Sequence, residues 1–424
     1  MQGVLNIQIK KRSLSEWLAV FIVVMPFFLS FFIDFIGIPS FIKYSIDVAW
    51  ILLLIIMFFH KQILICKGQT VFLLFVASWF LYVSIIYIFN FQSPFYFLWG
   101  IRNNLRFYIA FMAFIYFFGE DDVLGILNFF DYIFWINICL CFFQFFILGY
   151  RQDYLGGIFG VEKGCNAYTS ILFVIVISKS ILEYLDGKEN ALKCLLKCAI
   201  ALIIAAMAEL KLFFILFIII VIVALLLTKF SWRKMLILMC VAVLMIFAGN
   251  ILTIIFGENE KLTIERIMAL ITSTNYATAE DLGRFTAIPT ISQNIFSNWY
   301  ERLFGLGIGN CDTSAFAICN TPFYQTHGYL HYSWFSSAFL FLETGYVGLI
   351  INLSFFVICF IRSIILFKSQ KSNRLFCQLA IISSLLCIIY TFYNSSLRKE
   401  CGFLMYFILS LPFVYNNSRG SLNE

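Results

Sequence analysis

The sequence predicts an all-α polytopic membrane protein of about twelve transmembrane helices, with one large helical loop between the ninth and tenth spans. Composition argues first: 62% of the 424 residues are hydrophobic, 12% are charged and the mean hydropathy is +0.93. A soluble domain carries about 25% charged residues, so a water-soluble fold is excluded. The 53 phenylalanines and 21 tyrosines suit lipid contact and the two bilayer interfaces. The third observation is the placement of the cations, which sorts the loops into two sides.

Crossing a hydrocarbon layer of ~30 Å takes about 20 helical residues. Apolar runs of that order lie near 16–34, 45–60, 70–90, 103–118, 124–148, 166–184, 194–209, 211–228, 234–256, 346–367, 376–393 and 400–416. A further apolar stretch, 329–344, is assigned to the outer face as a re-entrant or interfacial helix. If it crossed, the basic loop Phe367–Arg374 would lie outside, against the positive-inside bias. With twelve spans, Lys10–Arg12, Lys61 and Lys67, Lys188, Lys193 and Lys197, Lys229 to Lys234, Arg362 to Arg374, and Arg419 all become cytoplasmic, as do both termini. This topology explains most of the +6 net charge without a nucleic-acid partner. The chain divides into 1–256 with spans one to nine, 257–345 as the outer loop, and 346–424 with spans ten to twelve and the tail. The first apolar run lacks a small-residue cleavage site and reads as a retained span, with Met1 as the mature start. No internal repeat or matched pair of broken helices of transporter type is visible.

The thirteen cysteines are scattered, mostly in apolar runs, with no CxxC and no zinc spacing. Cys311 and Cys319 fall in the outer loop, where they are either a disulfide or two free thiols.

Against the general bias, Arg102, Arg106, Arg151, Lys163, Lys211, Arg266, Arg284 and Arg302 fall on the outer side. Arg102 and Arg106 in GIRNNLRFY share a helical face at the outer end of span four, where two guanidinium forks suit phosphate oxygens; snorkelling is the plainer account. Glu209 and Lys211 in AELKLFF make the polar break between residues 198 and 228. Lys211 is therefore an anion-binding candidate, or the pair merely satisfies the turn. In DLGRFTAIPTISQNIFSNWYERLFGLGIGN a helix is expected over about 284–298, starting at Arg284. The glycine-rich turn 305–309 follows, which either approaches phosphate or is simply a flexible loop. Then NTPFYQTHGYLHYSWFSSAFLFLETGYVG supplies Tyr324, His327, His331 and Glu343. The two histidines, four apart, lack a third ligand at metal spacing. As general base for a hydroxyl acceptor, His327 or His331 has a suitable imidazole; interfacial structural histidine is the alternative.

In their order and shared side, GIRNNLRFY, AELKLFF, GRFTAIPTISQNIF with LFGLGIG, and LETGYVG make the chain resemble the bacterial O-antigen polymerase family, Wzy, and more distantly the O-antigen ligases. The resemblance implies a GT-C-like, metal-independent glycosyltransferase without cofactor in the cytoplasmic (inner) membrane, its active site facing the periplasm. It would move a growing glycan from undecaprenyl diphosphate to an acceptor repeat unit, with membrane lipids and a chain-length regulator protein as further partners. Arg284 and then Lys211 would stabilise the diphosphate leaving group, with His327 or Glu343 as the base. Arg102, Arg106, Glu209, Arg302, His331 and Tyr324 would bind substrate. The ligase pattern sets its histidine roughly ten residues before the E-x-G-x-x-G stretch, whereas His327 lies sixteen and His331 twelve residues before Glu343. This spacing favours polymerase over ligase to lipid A-core; a flippase of lipid-linked oligosaccharide is a third reading.

Overall fold

A computed structural model describes residues 13–59, 70–229, 232–256, 273, 280–314 and 316–420. It is all-helical among those residues, and each of the twelve apolar runs falls on a helix. In chain order these are α1 (Leu14–Ser30, continued by a π turn through Phe35), α2 (Ser45–Phe59), α3 (Thr70–Phe89), α4 (Pro94–Phe117), α5 (Glu120–Phe146) and α6 (Asn166–Leu185). There follow α7 (Ala191–Met207), α8 (Lys211–Leu227) and α9 (Trp232–Phe256). The loop carries the short helices α10 (Ala287–Asn294), α11 (Trp299–Phe304) and α12 (Pro322–His327). The chain then returns through α13 (Ser336–Ser369), α14 (Arg374–Tyr393) and α15 (Gly402–Gly420).

Among the described residues, seven helices are long and apolar enough to cross a membrane: those of 14–34, 40–59, 70–89, 120–146, 166–185, 336–369 and 374–393. Burial ranks them. In α6 and α14 the apolar stretch is 89% and 78% buried, against 33–44% for the other five, so these two are the central helices and the rest surround them. Ser170 on α6 and the Tyr390 hydroxyl on α14 share a 2.6 Å hydrogen bond at that centre. The outward faces carry bare apolar side chains, such as Phe58, Phe89, Leu226 and Ile254, as lipid contact requires.

Local chemistry sets the helix ends. Ser13 and Glu16 form a capping box at α1. At α4 the helix starts at Pro94, nine residues before the apolar run expected at 103, because Ser93-Pro94 supplies a helix start and the aromatic turn that follows continues it. The helix expected over 284–298 is shorter, Ala287–Asn294, because residues 284–286 form a turn that leads into it.

One correction concerns charge. Lys197, assigned from sequence to a cytoplasmic loop, is fully buried within α7, where it bonds Asp131 at 2.7 Å and Glu189 at 2.9 Å. Lys179 on α6 also pairs with Asp131, so buried ion pairs tie the α6–α7 hairpin to α5. Arg266 and His60 lie outside the described residues.

The loop between α9 and α13 has its own small core of Leu282, Ala287, Ile291, Phe296, Cys311, Tyr332, Phe335, Phe339 and Leu342. It is seated on the first nine residues of α13, before that helix kinks at Gly345 (φ +62°). The kink frees two helical carbonyls, and the glycine-rich turn takes them: Leu306 N–H donates to Leu342 at 2.8 Å and Gly307 N–H to Glu343 at 2.9 Å. LFGLGIG and LETGYVG therefore interlock. The turn's amides are spent on the protein, which removes the phosphate-cradling role considered for them.

Candidate functional site: a cationic cavity at one end of the bundle

At the end of the bundle where α2, α4, α6 and α8 begin and the α14–α15 turn lies, a cavity of about 730 Å³ opens. Eight cations line it, Lys43, Arg102, Arg106, Lys163, Lys211, Arg284, Arg398 and Lys399, against five carboxylates, Asp153, Glu162, Glu209, Asp312 and Glu400. The first residues of α6 and α8 also reach it, which adds the positive ends of two helix dipoles.

Helix α4 builds the floor. Arg102 holds Asp47 with Nη2 at 2.6 Å and Nε at 3.0 Å, and Trp50 Nε1 braces the same carboxylate at 2.9 Å. Asn103 reaches Asp312 in the loop at 2.5 Å. One turn on, Arg106 is only 2% exposed; it donates to Glu400 at 3.2 Å and to the Arg398 carbonyl at 2.9 Å. Snorkelling is thereby excluded for Arg106, which is a buried ion pair. The α4 arginines are engaged with protein carboxylates, so the two free forks expected for phosphate are not what α4 presents.

Glu400, included in the last apolar run, sits in the turn before α15. Burial pushes its carboxyl up, but the fields of Arg106 and Lys399 overcome this and hold it down at about 2. Its neighbours in SSLRKECGF are cations without a carboxylate within 4 Å among the described residues. The Arg398 guanidinium lies over the Phe339 ring, 3.3 Å from its centroid, and its Nε has no hydrogen-bond partner. Burial lowers its pKa, with Asp312 and Glu343 opposing. Lys399 opens into the cavity; the protein enclosing it lowers its ammonium pKa, and Glu400 opposes that.

Across the cavity, Glu209 takes a left-handed conformation (φ +53°) that turns α7 into α8 and brings its carboxylate to 3.0 Å from Lys211. The pair satisfies the turn and lines the cavity at once. Arg284, in the turn before α10, stacks over Tyr393 at 4.0 Å from the ring centroid.

No family model matches the chain, and the search of curated proteins finds no match either. The site is therefore read from its own chemistry.

Five sequence candidates, Arg102, Arg106, Glu209, Lys211 and Arg284, are brought together in this one cavity. The others lie outside it. Arg302 is exposed on α11. His327 stacks on Phe323 and bonds Thr326 at 2.8 Å. Glu343 is completely buried, with Oε1 accepting the Gly309 N–H at 2.8 Å, so it braces the glycine turn against α13 rather than facing the cavity. His331 and Tyr324 line a neighbouring cleft. His331 is held by buried Asp281, Nδ1 to Oδ1 at 2.5 Å, and stacks on Trp334, which lines the cavity. Asp281, Lys43, Arg398, Lys399 and Glu400 were not picked out by sequence. The signal for three of them was available: Lys43, Arg398 and Lys399 fall in outer loops on the same topology that flagged Arg284. Asp281 gave none, because only folding brings it to a histidine fifty residues away.

Cys311 and Cys319 are free and buried. Burial raises both thiols, which keeps them protonated and poorly nucleophilic.

Proposed function

We propose that the chain is a polymerase of lipid-linked oligosaccharide repeat units, a metal-independent glycosyltransferase of the bacterial cytoplasmic membrane. The observation that carries this is the cavity with eight cations against five carboxylates. Its 730 Å³ falls in the range of about 300–1,000 Å³ typical of ligand pockets, room for a diphosphate and its first sugar. In this reading all twelve apolar helices cross, both termini are cytoplasmic and the cavity opens to the periplasm.

The donor glycan leaves undecaprenyl diphosphate. The acceptor hydroxyl oxygen attacks the donor anomeric carbon, the bond from that carbon to the diphosphate oxygen breaks, and its electron pair stays on the diphosphate. Arg284, Lys211, Arg398 and Lys399 are placed to stabilise that charge in an environment already ordered for it. The acceptor proton needs a base. His331 suits this better than His327, since a buried carboxylate fixes its Nδ1–H and leaves Nε2 as the accepting nitrogen.

The test is the lipopolysaccharide ladder of a deletion strain complemented with variants. Deletion should leave core plus a single repeat, and Arg284→Ala should fail to restore long chains at normal protein level. Arg284→Lys should restore them in part, because a point charge replaces a fork. Core without any repeat, with long lipid-linked polymer accumulating, would replace this reading with a ligase. An unchanged ladder would overturn both.

A further inference from the structure

Beside the cationic cavity lies a second cleft of about 430 Å³, with Thr313, Asn320, Tyr324, Gln325, Tyr329 and His331 in its wall. Its chemistry is of another kind. No lysine, arginine, aspartate or glutamate lines it among the described residues. What it offers is a hydroxyl, two amides, an imidazole and two phenols, groups that donate and accept hydrogen bonds without net charge. Tyr329 is 55% exposed and Gln325 is also open to solvent.

The two spaces adjoin. Thr313 belongs to the wall of both. The turn 331–334 divides them: His331 faces the cleft, Trp334 faces the cavity, and the rings stack 4.1 Å apart at 13°. The frame beneath is fixed. The Asn320 side-chain oxygen Oδ1 accepts from Thr313 Oγ1 at 2.9 Å and from Ser314 N–H at 2.8 Å. Buried Tyr332 donates to the Cys311 carbonyl at 2.6 Å and meets the Phe323 and Tyr324 rings edge-on.

We propose that this cleft is the seat of uncharged sugars of the acceptor glycan, next to the cavity that takes the diphosphate; the assignment rests on the polymerase reading. A sugar ring has hydroxyls that bond in both directions around its edge and apolar C–H faces that lie on aromatic rings, which is what the cleft supplies. A phosphate or uronate would lose its hydration here and find no counter-charge. The acceptor's terminal hydroxyl then lies between His331 and the cationic cavity. Asp281 acts as a positioning residue, because it reaches the sugar only through the imidazole it orients.

The experiment uses the full chain purified in detergent and two probes. One is the repeat-unit oligosaccharide released by mild acid from the host's own lipid carrier, so that it bears no phosphate; the other is undecaprenyl diphosphate. Saturation-transfer NMR should show the free glycan bound. Tyr329→Ala should weaken glycan binding about tenfold and leave undecaprenyl diphosphate binding unchanged. Lys399→Gln should do the opposite. Absence of glycan binding by the native chain, or glycan binding indifferent to both Tyr329→Ala and Gln325→Ala, would overturn the proposal. The two readings fail separately. Glycan binding that depends on Tyr329 in a protein whose deletion leaves the ladder unchanged keeps the cleft and removes the polymerase. A lost ladder with glycan binding indifferent to both Tyr329→Ala and Gln325→Ala does the reverse.

Discussion

Replacing Arg106 with methionine keeps the apolar stem of the side chain and removes one charge from the cavity floor. Arg106 is 2% exposed, and its loss would strip Glu400 of its closest cation and the Arg398 carbonyl of its donor. Breaking a buried ion pair from one side costs about 3–5 kcal/mol. Glu400 keeps 22% side-chain exposure and Lys399 as a neighbour, which places the cost at the low end, about 3 kcal/mol. Proton linkage gives the pH dependence. Arg106 is the largest of the fields that hold the Glu400 carboxyl at about 2 instead of 4.5, so its removal lets that value rise. The sign follows from the depressed value: the contribution is complete above the ordinary value of 4.5 and is lost as pH falls towards 2. Unfolding free energies of the purified protein, followed by tryptophan fluorescence in mixed micelles, should show an Arg106→Met deficit of about 3 kcal/mol at neutral pH. The deficit should shrink below pH 4.5. In a double-mutant cycle with Glu400→Gln, the two changes should cost less together than their sum. A deficit that does not change with pH, or strict additivity, would refute the reasoning.

A Cβ on Gly309 would run into the Tyr96 carbonyl of α4 at a φ of +81°, so Gly309→Ala should leave little monodisperse protein on size exclusion. Gly125→Ala, in α5 with no heavy atom within 4 Å of the added carbon, should be neutral or gain up to ~1 kcal/mol on thermal unfolding. Alkylation of the denatured chain without reductant should label both Cys311 and Cys319, and labelling that needs prior reduction would contradict their free state. Lys399→Gln should weaken undecaprenyl diphosphate binding by about ten- to a hundredfold, measured by calorimetry, with the melting temperature unmoved. Asp131→Asn should lower the melting temperature and leave that affinity alone.

Helix positions were legible because burial in lipid demands long apolar runs, and each such run is a helix here. The start of α4 was not, since its first turn is aromatic and polar rather than continuously apolar and is set by Ser93-Pro94. Two of the cations that the positive-inside rule assigns to the outer side, Arg284 and Lys211, lie far apart in sequence yet share the cavity. The rule was applied incompletely, which left out Lys43, Arg398 and Lys399. Spacing misled where backbone geometry decides. Glu343 and the 305–309 glycines look like site elements in a linear motif, but the left-handed Gly345 exposes helix carbonyls that the glycine turn must satisfy, and Glu343 is enclosed in that joint. The pairing of His331 with Asp281 has no local signature at all.

Two ion clusters among the described residues explain why the anion site is proposed in the cavity and not in the buried network. Lys179 and Lys197 sit among α5, α6 and α7 with Asp131 between them and Glu189 completing the set, so each ammonium has a carboxylate and the cluster holds no charge to spare. Burial without such pairing would be far too costly. In the cavity the balance differs. Glu400 is taken by Arg106, and Asp47 by Arg102, while Lys43, Lys163, Arg398 and Lys399 line the space with no carboxylate within 4 Å among the described residues. Like charges gathered in a partly enclosed space repel one another, and besides its burial, Arg398 and Lys43 both act to lower the Lys399 ammonium pKa, with Glu400 opposing. Such an arrangement favours a ligand that brings negative charge. In the proposed reading a diphosphate would supply it in a form that guanidinium and ammonium groups can share, and a charge growing on the leaving group as the glycosidic bond breaks would be bound more tightly than the ground state. The catalytic power proposed for the cavity thus has its source in this surplus of cations.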